Sequence, residues 1–138
     1  MKKNEGRVYF AFQGNDFDPT EITKLLGIQP TKVRLKNELP SGKLPKFSSW
    51  IFSLDNIVDE VIDIYEMTTS LVKTLEPKIE AINEIKQKFN VITRLEVVLS
   101  FSTNEEISTP AIGFDTNTIN FLAKIEAFID IDTYLLPS

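Results

Sequence analysis

The first candidate for chemistry is a group of carboxylates near the start of the chain: Asp16, Asp18 and Glu21. Carboxylate oxygens bind hard cations, and paired carboxylates can act as general acid and base. The stretch lacks the glycine and the ligand spacing of an EF-hand loop. Asp18, Pro19 and Glu21 match the start of a helix, where Asp18 accepts from free backbone N–H groups. We therefore favour helix capping, which leaves Asp16 as the carboxylate without a structural role.

A second pair of carboxylates, Asp130 and Asp132, lies near the end of the chain. Their spacing places both on one face of a strand beside Tyr134, while Ile129 and Ile131 are predicted to face the core. The pair could bind a cation or a basic partner, or its charges could prevent unwanted pairing at a sheet edge. An oxygen-ligand metal hydrolase would require four carboxylates to converge: Asp16, Asp18, Asp130 and Asp132.

A third candidate is the segment 31–47, which is about +4, whereas the rest of the chain is about −9. Its cations are Lys32, Arg34, Lys36, Lys43 and Lys46. Such a segment could bind phosphate, nucleic acid or an acidic protein surface, or it could be a solvated loop. It contains no Gly-rich phosphate loop. We predict that these cations, together with Asp16, Asp130 and Asp132, are the partner-binding residues.

Composition excludes several chemistries. The chain has no cysteine and no histidine, so disulfides, thiolate nucleophiles and a histidine base are absent. Any metal site would need oxygen ligands alone. The net charge of −5 argues against a broad nucleic-acid-binding surface. We find no catalytic motif and expect no cofactor, so the chain is predicted not to be an enzyme.

These side chains must be positioned by a mixture of strands and helices. Strands are predicted where polar and apolar residues alternate, at 7–13, 48–54, 91–102 and 129–135, with shorter ones at 32–36 and 111–114. Helices are predicted at 19–26, from Asp55 or Asn56 to Val72, from Pro77 to Phe89, and from Asp115 or Thr116 to Phe128. Trp50 is predicted to belong to the core, because Phe52 and Leu54 continue its face.

The order of the elements indicates an α+β fold with an antiparallel or mixed sheet and helices mainly on one face. The first six elements match a ferredoxin-like βαββαβ core, which a C-terminal βαβ unit would extend. We expect a single domain over 1–138, with a flexible segment at 1–6 and a long basic loop at 31–47. Neither a signal peptide nor a membrane-spanning run is predicted, which makes the cytoplasm the default location.

The run from Gly14 to Thr31 resembles the opening of a bacterial family, domain of unknown function 4279. The Ser49-Trp50 strand, the central pair of helices and the closing run from Ile129 to Tyr134 are similar to the same family. The resemblance covers essentially the whole chain. It implies a compact α+β domain and carries no activity with it.

The absence of catalytic motifs and the uneven charge favour a non-enzymatic protein-binding module of a regulatory or toxin-neutralising type. The protein partner is unknown. The alternative is a small-ligand or divalent-cation sensing domain that acts as a homodimer.

Overall fold

The computed structural model describes residues 2–36 and 46–137. In these ranges six strands form one sheet: β1 (Asn4–Gly14), β2 (Lys32–Arg34), β3 (Ser48–Ser53), β4 (Ile57–Asp59), β5 (Ile92–Phe101) and β6 (Phe128–Leu135). The α-helices are α1 (Pro19–Leu26), α2 (Ile64–Leu75), α3 (Ile79–Phe89) and α4 (Thr116–Lys124). A 3₁₀ turn at Glu76–Lys78 connects α2 to α3. None of these helices is long and apolar enough to cross a membrane.

The strand order in the sheet is β2-β3-β1-β5-β6, and β4 pairs with the first residues of β1. Neighbouring strands are antiparallel except for β5 and β6, which are parallel and are connected through α4. A parallel pair needs such a crossover connection. The predicted mixed α+β fold is confirmed at this level.

The core lies on one face of the sheet, which we call the inner face. Val8, Phe10 and Phe12 alternate along β1 and are buried there. Phe12 packs edge-on against Trp50, with ring centroids 5.6 Å apart. Trp50 is fully buried, as predicted. Buried side chains from all four helices join the same cluster, so the helices cover the inner face.

Helix α1 begins and ends as the sequence predicts. The Asp18 carboxylate accepts a hydrogen bond from the backbone N–H of Thr20 at 3.0 Å, and Pro19 occupies the first turn. Gly27 ends the helix with a φ of 74°, a left-handed conformation that glycine adopts without steric cost. The hydroxyl of Thr23 accepts a hydrogen bond from Trp50 Nε1 at 3.0 Å, which ties the helix to β3.

The prediction that a helix begins at Asp55 or Asn56 is wrong. Residues 57–59 form β4, and α2 begins at Ile64 after the cap residue Asp63. The apolar residues of this stretch follow a helical period, but Val58 and Val61 are exposed. Because β3 pairs with β1 only from Tyr9 onward, the first part of β1 offers free backbone groups, and β4 pairs with them. Tertiary pairing therefore overrides the local pattern.

Three smaller predictions also need correction. The expected strand at 111–114 is reduced to a single bridge between Asp63 and Ala111. Phe128 belongs to β6, because α4 ends at Lys124. The segment 1–6 is predicted to be flexible, but Asn4–Gly6 pair with β4 on one side, and Glu5 and Gly6 pair with β5 on the other.

Candidate functional site

The face of the sheet opposite the core, which we call the outer face, carries the polar side chains of the central strands. Alternation along β1 places Arg7, Tyr9 and Gln13 there, and alternation along β5 places Arg94 and Glu96 there. Because the buried side chains of the described helices belong to the inner face, these helices leave the outer face uncovered. The outer face is therefore where polar chemistry can be displayed.

Three carboxylates meet on the outer face, and we call them the carboxylate cluster: Glu96, Asp130 and Asp132. The parallel pairing of β5 with β6 places Asp130 opposite Glu96 and Asp132 opposite Val98. One oxygen from each carboxylate lies within 4.8 Å of the others. The cluster thus combines the two closing aspartates predicted from the sequence with a glutamate that the prediction did not include.

Glu96 is the buried member of the carboxylate cluster, with a relative exposure of 2%. Arg94 Nε lies 3.1 Å from Glu96 Oε1, and Arg94 Nη1 donates to Gln13 Oε1. Glu96 Oε2 is buried and has no hydrogen-bond partner among the described residues. A buried oxygen without a partner is rare in proteins and costs free energy.

The electrostatics of the cluster favour a proton on Glu96. Burial, followed by the hydrogen bond that the protonated Glu96 carboxyl makes to Asp132 and by the negative charges of Asp130 and Asp132, raises the pKa of Glu96 to about 8. The ion pair with Arg94 does not offset these effects. Such a cluster can hold a proton, a hard cation or a cationic side chain.

Strand β6 beside the cluster is an edge strand. It pairs with β5, and in the described ranges no strand pairs with its other side. Five large hydrophobic side chains of β6 are exposed: Phe128, Ile129, Ile131, Tyr134 and Leu135. Ile129 and Ile131 lie on the core side of the sheet, as predicted, but they are not buried there. They point toward the inner face but are 43% and 40% exposed, because β6 lies beyond the part of that face that the helices bury.

The opposite edge of the sheet carries the basic residues predicted as partner-binding. Lys32 and Arg34 are exposed on the edge strand β2, and Lys46 is exposed before β3. Lys36 Nζ donates to Asn15 Oδ1 at 2.7 Å. Lys43 lies outside the described residues. The two edges of the sheet therefore carry opposite charge, with aspartates on β6 and cations on β2.

The structure does not bring the two acidic pairs together. Asp16 is exposed in the turn after β1, whereas Asp130 is level with Tyr9, near the middle of β1. Among the described residues, the carboxylates that lie close enough to share a cation are those of the carboxylate cluster, and Asp16 and Asp18 are not among them. A hydrolytic centre built from all four aspartates is therefore not supported.

Sequence reasoning missed Glu96 because its importance depends on burial. The alternation of β5 places Arg94 and Glu96 on the same face, which is visible in the sequence. A glutamate between apolar neighbours in a long strand was the available signal. Which carboxylates lie beside it depends on the register of β5 with β6, and the sequence does not give that register.

A cleft of about 690 Å³ lies apart from the cluster, between β4 and the start of α2. Ile57, Val61, Ile62 and Met67 supply apolar side chains to its lining, and Asp63 and Glu66 supply carboxylates. The cleft has the mixed lining that small-molecule sites share.

The comparisons with known proteins identify a family. The sequence profile of a family described as domain of unknown function (DUF4279) matches residues 4–136, and the chain therefore belongs to this family. The resemblance inferred from the opening and closing motifs is confirmed. Searches among curated proteins and among solved structures found no match.

Proposed function

We propose that this member of the DUF4279 family is a non-enzymatic protein-binding module of the bacterial cytoplasm, of a regulatory or toxin-neutralising type. The observation that carries the proposal is the exposure of β6. Within residues 2–36 and 46–137, β6 is an edge strand of eight residues that exposes five large hydrophobic side chains, so it presents both apolar surface and unpaired backbone groups. Native edge strands are usually short, covered or protected by charge, so a long exposed edge indicates a surface that a partner covers.

The partner is an extended segment that adds a strand beside β6. Strand addition satisfies the free backbone N–H and C=O groups of the edge, and alternate side chains give specificity. The partner segment carries apolar side chains toward Ile129 and Ile131 and basic side chains toward Asp130 and Asp132. Charge complementarity with these aspartates favours a basic partner over an acidic one and speeds encounter.

The finer architecture that we propose explains why β6 is available. The order β2-β3-β1-β5, with antiparallel neighbours, supports a ferredoxin-like βαββαβ core, to which α4 and β6 are added. In this arrangement β6 adds one strand to the core sheet beside β5, past the area that the helices cover.

An NMR titration with designed peptides tests the proposal. A ten-residue peptide of alternating lysine and valine is the probe, and one of alternating glutamate and valine is the matched control. We expect the basic peptide to shift amide signals of β6 and β5, and to bind more weakly at high salt. Ile131→Lys and Leu135→Lys should weaken this binding, whereas Val61→Lys, at an exposed site outside β6, should not.

Two results would contradict the proposal. One is the absence of shifts on β6 with either peptide. The other is a concentration-dependent dimer, measured by sedimentation, that Ile131→Lys disrupts, because a second copy would then occupy the edge.

The second candidate function is a domain that senses a small ligand or a divalent cation as a homodimer. The carboxylate cluster is the observation that favours it, since three carboxylates meet on the outer face of the sheet. Thermal unfolding with metabolites and with divalent cations tests it, because a ligand that binds the folded state raises the unfolding temperature. A flat response to the whole set would count against this candidate.

A further inference from the structure

We infer that Glu96, Asp130 and Asp132 bind one hard divalent cation on the outer face, between β5 and β6. The inference rests on the second candidate function and makes it specific by naming the ligands. It does not require the protein to dimerise, and it does not depend on strand addition at β6, because the ion lies over the face of the sheet rather than at its free edge.

The ligand set of the cluster favours calcium, and its geometry admits it. Calcium binds oxygen ligands at about 2.3–2.6 Å, so two ligands on opposite sides of the ion are about 5 Å apart. The three carboxylate oxygens lie within 4.8 Å of one another, inside this limit. Magnesium demands near-ideal octahedral geometry and gives up its water ligands reluctantly, so a site with three protein carboxylates favours calcium. Asp130 is exposed, which leaves the solvent side open for water ligands.

A second observation, independent of the acidic clustering, is the state of Glu96. Its side chain is only 3% exposed, and when Glu96 is ionised its Oε2 has no hydrogen-bond donor among the described residues. Surface acids that merely lie close together are hydrated, and their oxygens are satisfied by water. A buried carboxylate oxygen without a partner, in a side chain that points into the cluster, is satisfied when a cation binds there.

Charge balance supports a dication. A cation that binds here displaces the proton of Glu96. The three ionised carboxylates and the adjoining Arg94 then carry a net charge of minus two, which one divalent cation neutralises. Arg94 is already engaged with Glu96 Oε1 and Gln13. On β1 the residues that face the cluster are Tyr9, which pairs with Glu96, and Arg7, whose guanidinium lies 5.6 Å from the centre of the Tyr9 ring.

The test is calorimetric titration of the metal-free full chain with Ca²⁺, Mg²⁺ or Mn²⁺ alone. We expect one site per chain, with Ca²⁺ tighter than Mg²⁺. Broadening of amide signals by Mn²⁺ should centre on residues 94–98 and 128–132. The double variant Asp130→Asn/Asp132→Asn should lose at least about tenfold in affinity, because it removes two charged ligands. Asp16→Asn removes one charge from an exposed turn and should bind like the natural chain.

The inference is overturned if no heat and no local broadening appear up to about 10 mM ion, well above the range of weak protein calcium sites. It is also overturned if the double variant binds as tightly as the natural chain. Because the heat and the local broadening report cation binding and not the oligomeric state, their failure is separate from the failure of sensing through a dimer. Glu96→Gln supplies a further variant, in which affinity should fall while circular dichroism shows that the fold is kept.

Discussion

Arg94 and Glu96 lie two residues apart on the outer face of β5, with Arg94 Nε 3.1 Å from Glu96 Oε1. An arginine at this distance normally keeps a carboxylate ionised. Here burial and the neighbouring carboxylates Asp130 and Asp132 act in the opposite direction and raise the pKa of Glu96 to about 8. With no cation bound and below about pH 8, Glu96 is therefore protonated, which reduces the repulsion among the three carboxylates.

This arrangement predicts that the metal-free protein loses stability as the pH rises from about 5 to 8. Near pH 4 and below, the Glu96 carboxyl is protonated in both the folded and the unfolded chain. Between its ordinary pKa of 4.5 and its folded pKa of about 8, the unfolded chain releases the proton while the folded chain retains it. Rising pH therefore favours unfolding, by up to about 1 kcal/mol per pH unit. Above about pH 8 the contribution of Glu96 is constant.

Urea unfolding at several pH values, in the presence of a chelator, measures this slope. Glu96→Gln should remove most of it, whereas Asp16→Asn should leave it in place. Hydrogen bonding by Thr118 and Thr69 lowers the pKa of Asp115. The ionised Asp115 therefore stabilises the fold at pH values above the ordinary pKa of an aspartate. The contribution of Asp115 is lost on acidification, below the range of about pH 5 to 8 in which Glu96 acts. An equal slope in Glu96→Gln and the natural chain would show that Glu96 is not the group responsible.

The contact between Trp50 and Thr23 gives a prediction about the first helix. In the natural chain Trp50 Nε1 lies 3.0 Å from the Thr23 hydroxyl, to which it donates. Thr23→Val keeps the shape of the side chain but leaves the Trp50 N–H without an acceptor. A buried donor without a partner costs about 1–3 kcal/mol of unfolding free energy. Tryptophan fluorescence in urea reports the loss, since Trp50 is the only tryptophan. Thr20→Val, at an exposed position of the same helix, should cost no more than about 0.5 kcal/mol. Equal losses in the two variants would contradict the role of the hydrogen bond.

Elements whose signals are local could be predicted from the sequence. The Asp18 cap, the Gly27 stop and the alternation of Val8, Phe10 and Phe12 each follow from neighbouring residues, and each is found in the structure. Strand β4 could not be predicted in this way. Its residues pair with the start of β1, more than 50 positions earlier, and their apolar spacing also fits a helix.

The candidate site shows the same limit. Asp130 and Asp132 could be placed on one face of a strand from their spacing alone. The presence of Glu96 beside them depends on the parallel register of β5 with β6. If that register shifted by one residue, the two aspartates and Glu96 would lie on opposite faces of the sheet. The exposure of Ile129 and Ile131 depends on how far the helices reach across the sheet, and an apolar alternating pattern does not contain that information.

Asn4 gives a prediction about the start of β1. Its side chain is buried, and its Nδ2 donates to the carbonyl oxygens of Glu60 and Ser108 at 3.1 and 2.8 Å. Its Oδ1 accepts from the backbone N–H of Ser102 at 2.8 Å. Asn4→Asp replaces the donor by an oxygen that faces two carbonyl oxygens, and it buries a charge. We expect a loss of about 2–4 kcal/mol in urea unfolding at pH 7, partly recovered at pH 4, where the carboxyl is protonated. A loss that does not change with pH would contradict the electrostatic explanation.

Gly6 and Gly113 separate steric crowding in the core from crowding at the surface. A methyl group at Gly6 would lie 2.7 Å from Ile62 Cγ2 and 3.3 Å from Leu99 Cδ2, and both side chains are fully enclosed. A methyl group at Gly113 would overlap the hydroxyl end of Tyr65, but Tyr65 is 46% exposed and can rotate away. Gly6→Ala should therefore cost about 1–3 kcal/mol of unfolding free energy, and Gly113→Ala less than about 1 kcal/mol. Urea unfolding of the two variants measures the difference, and a larger loss at Gly113 would show that Tyr65 is held in place.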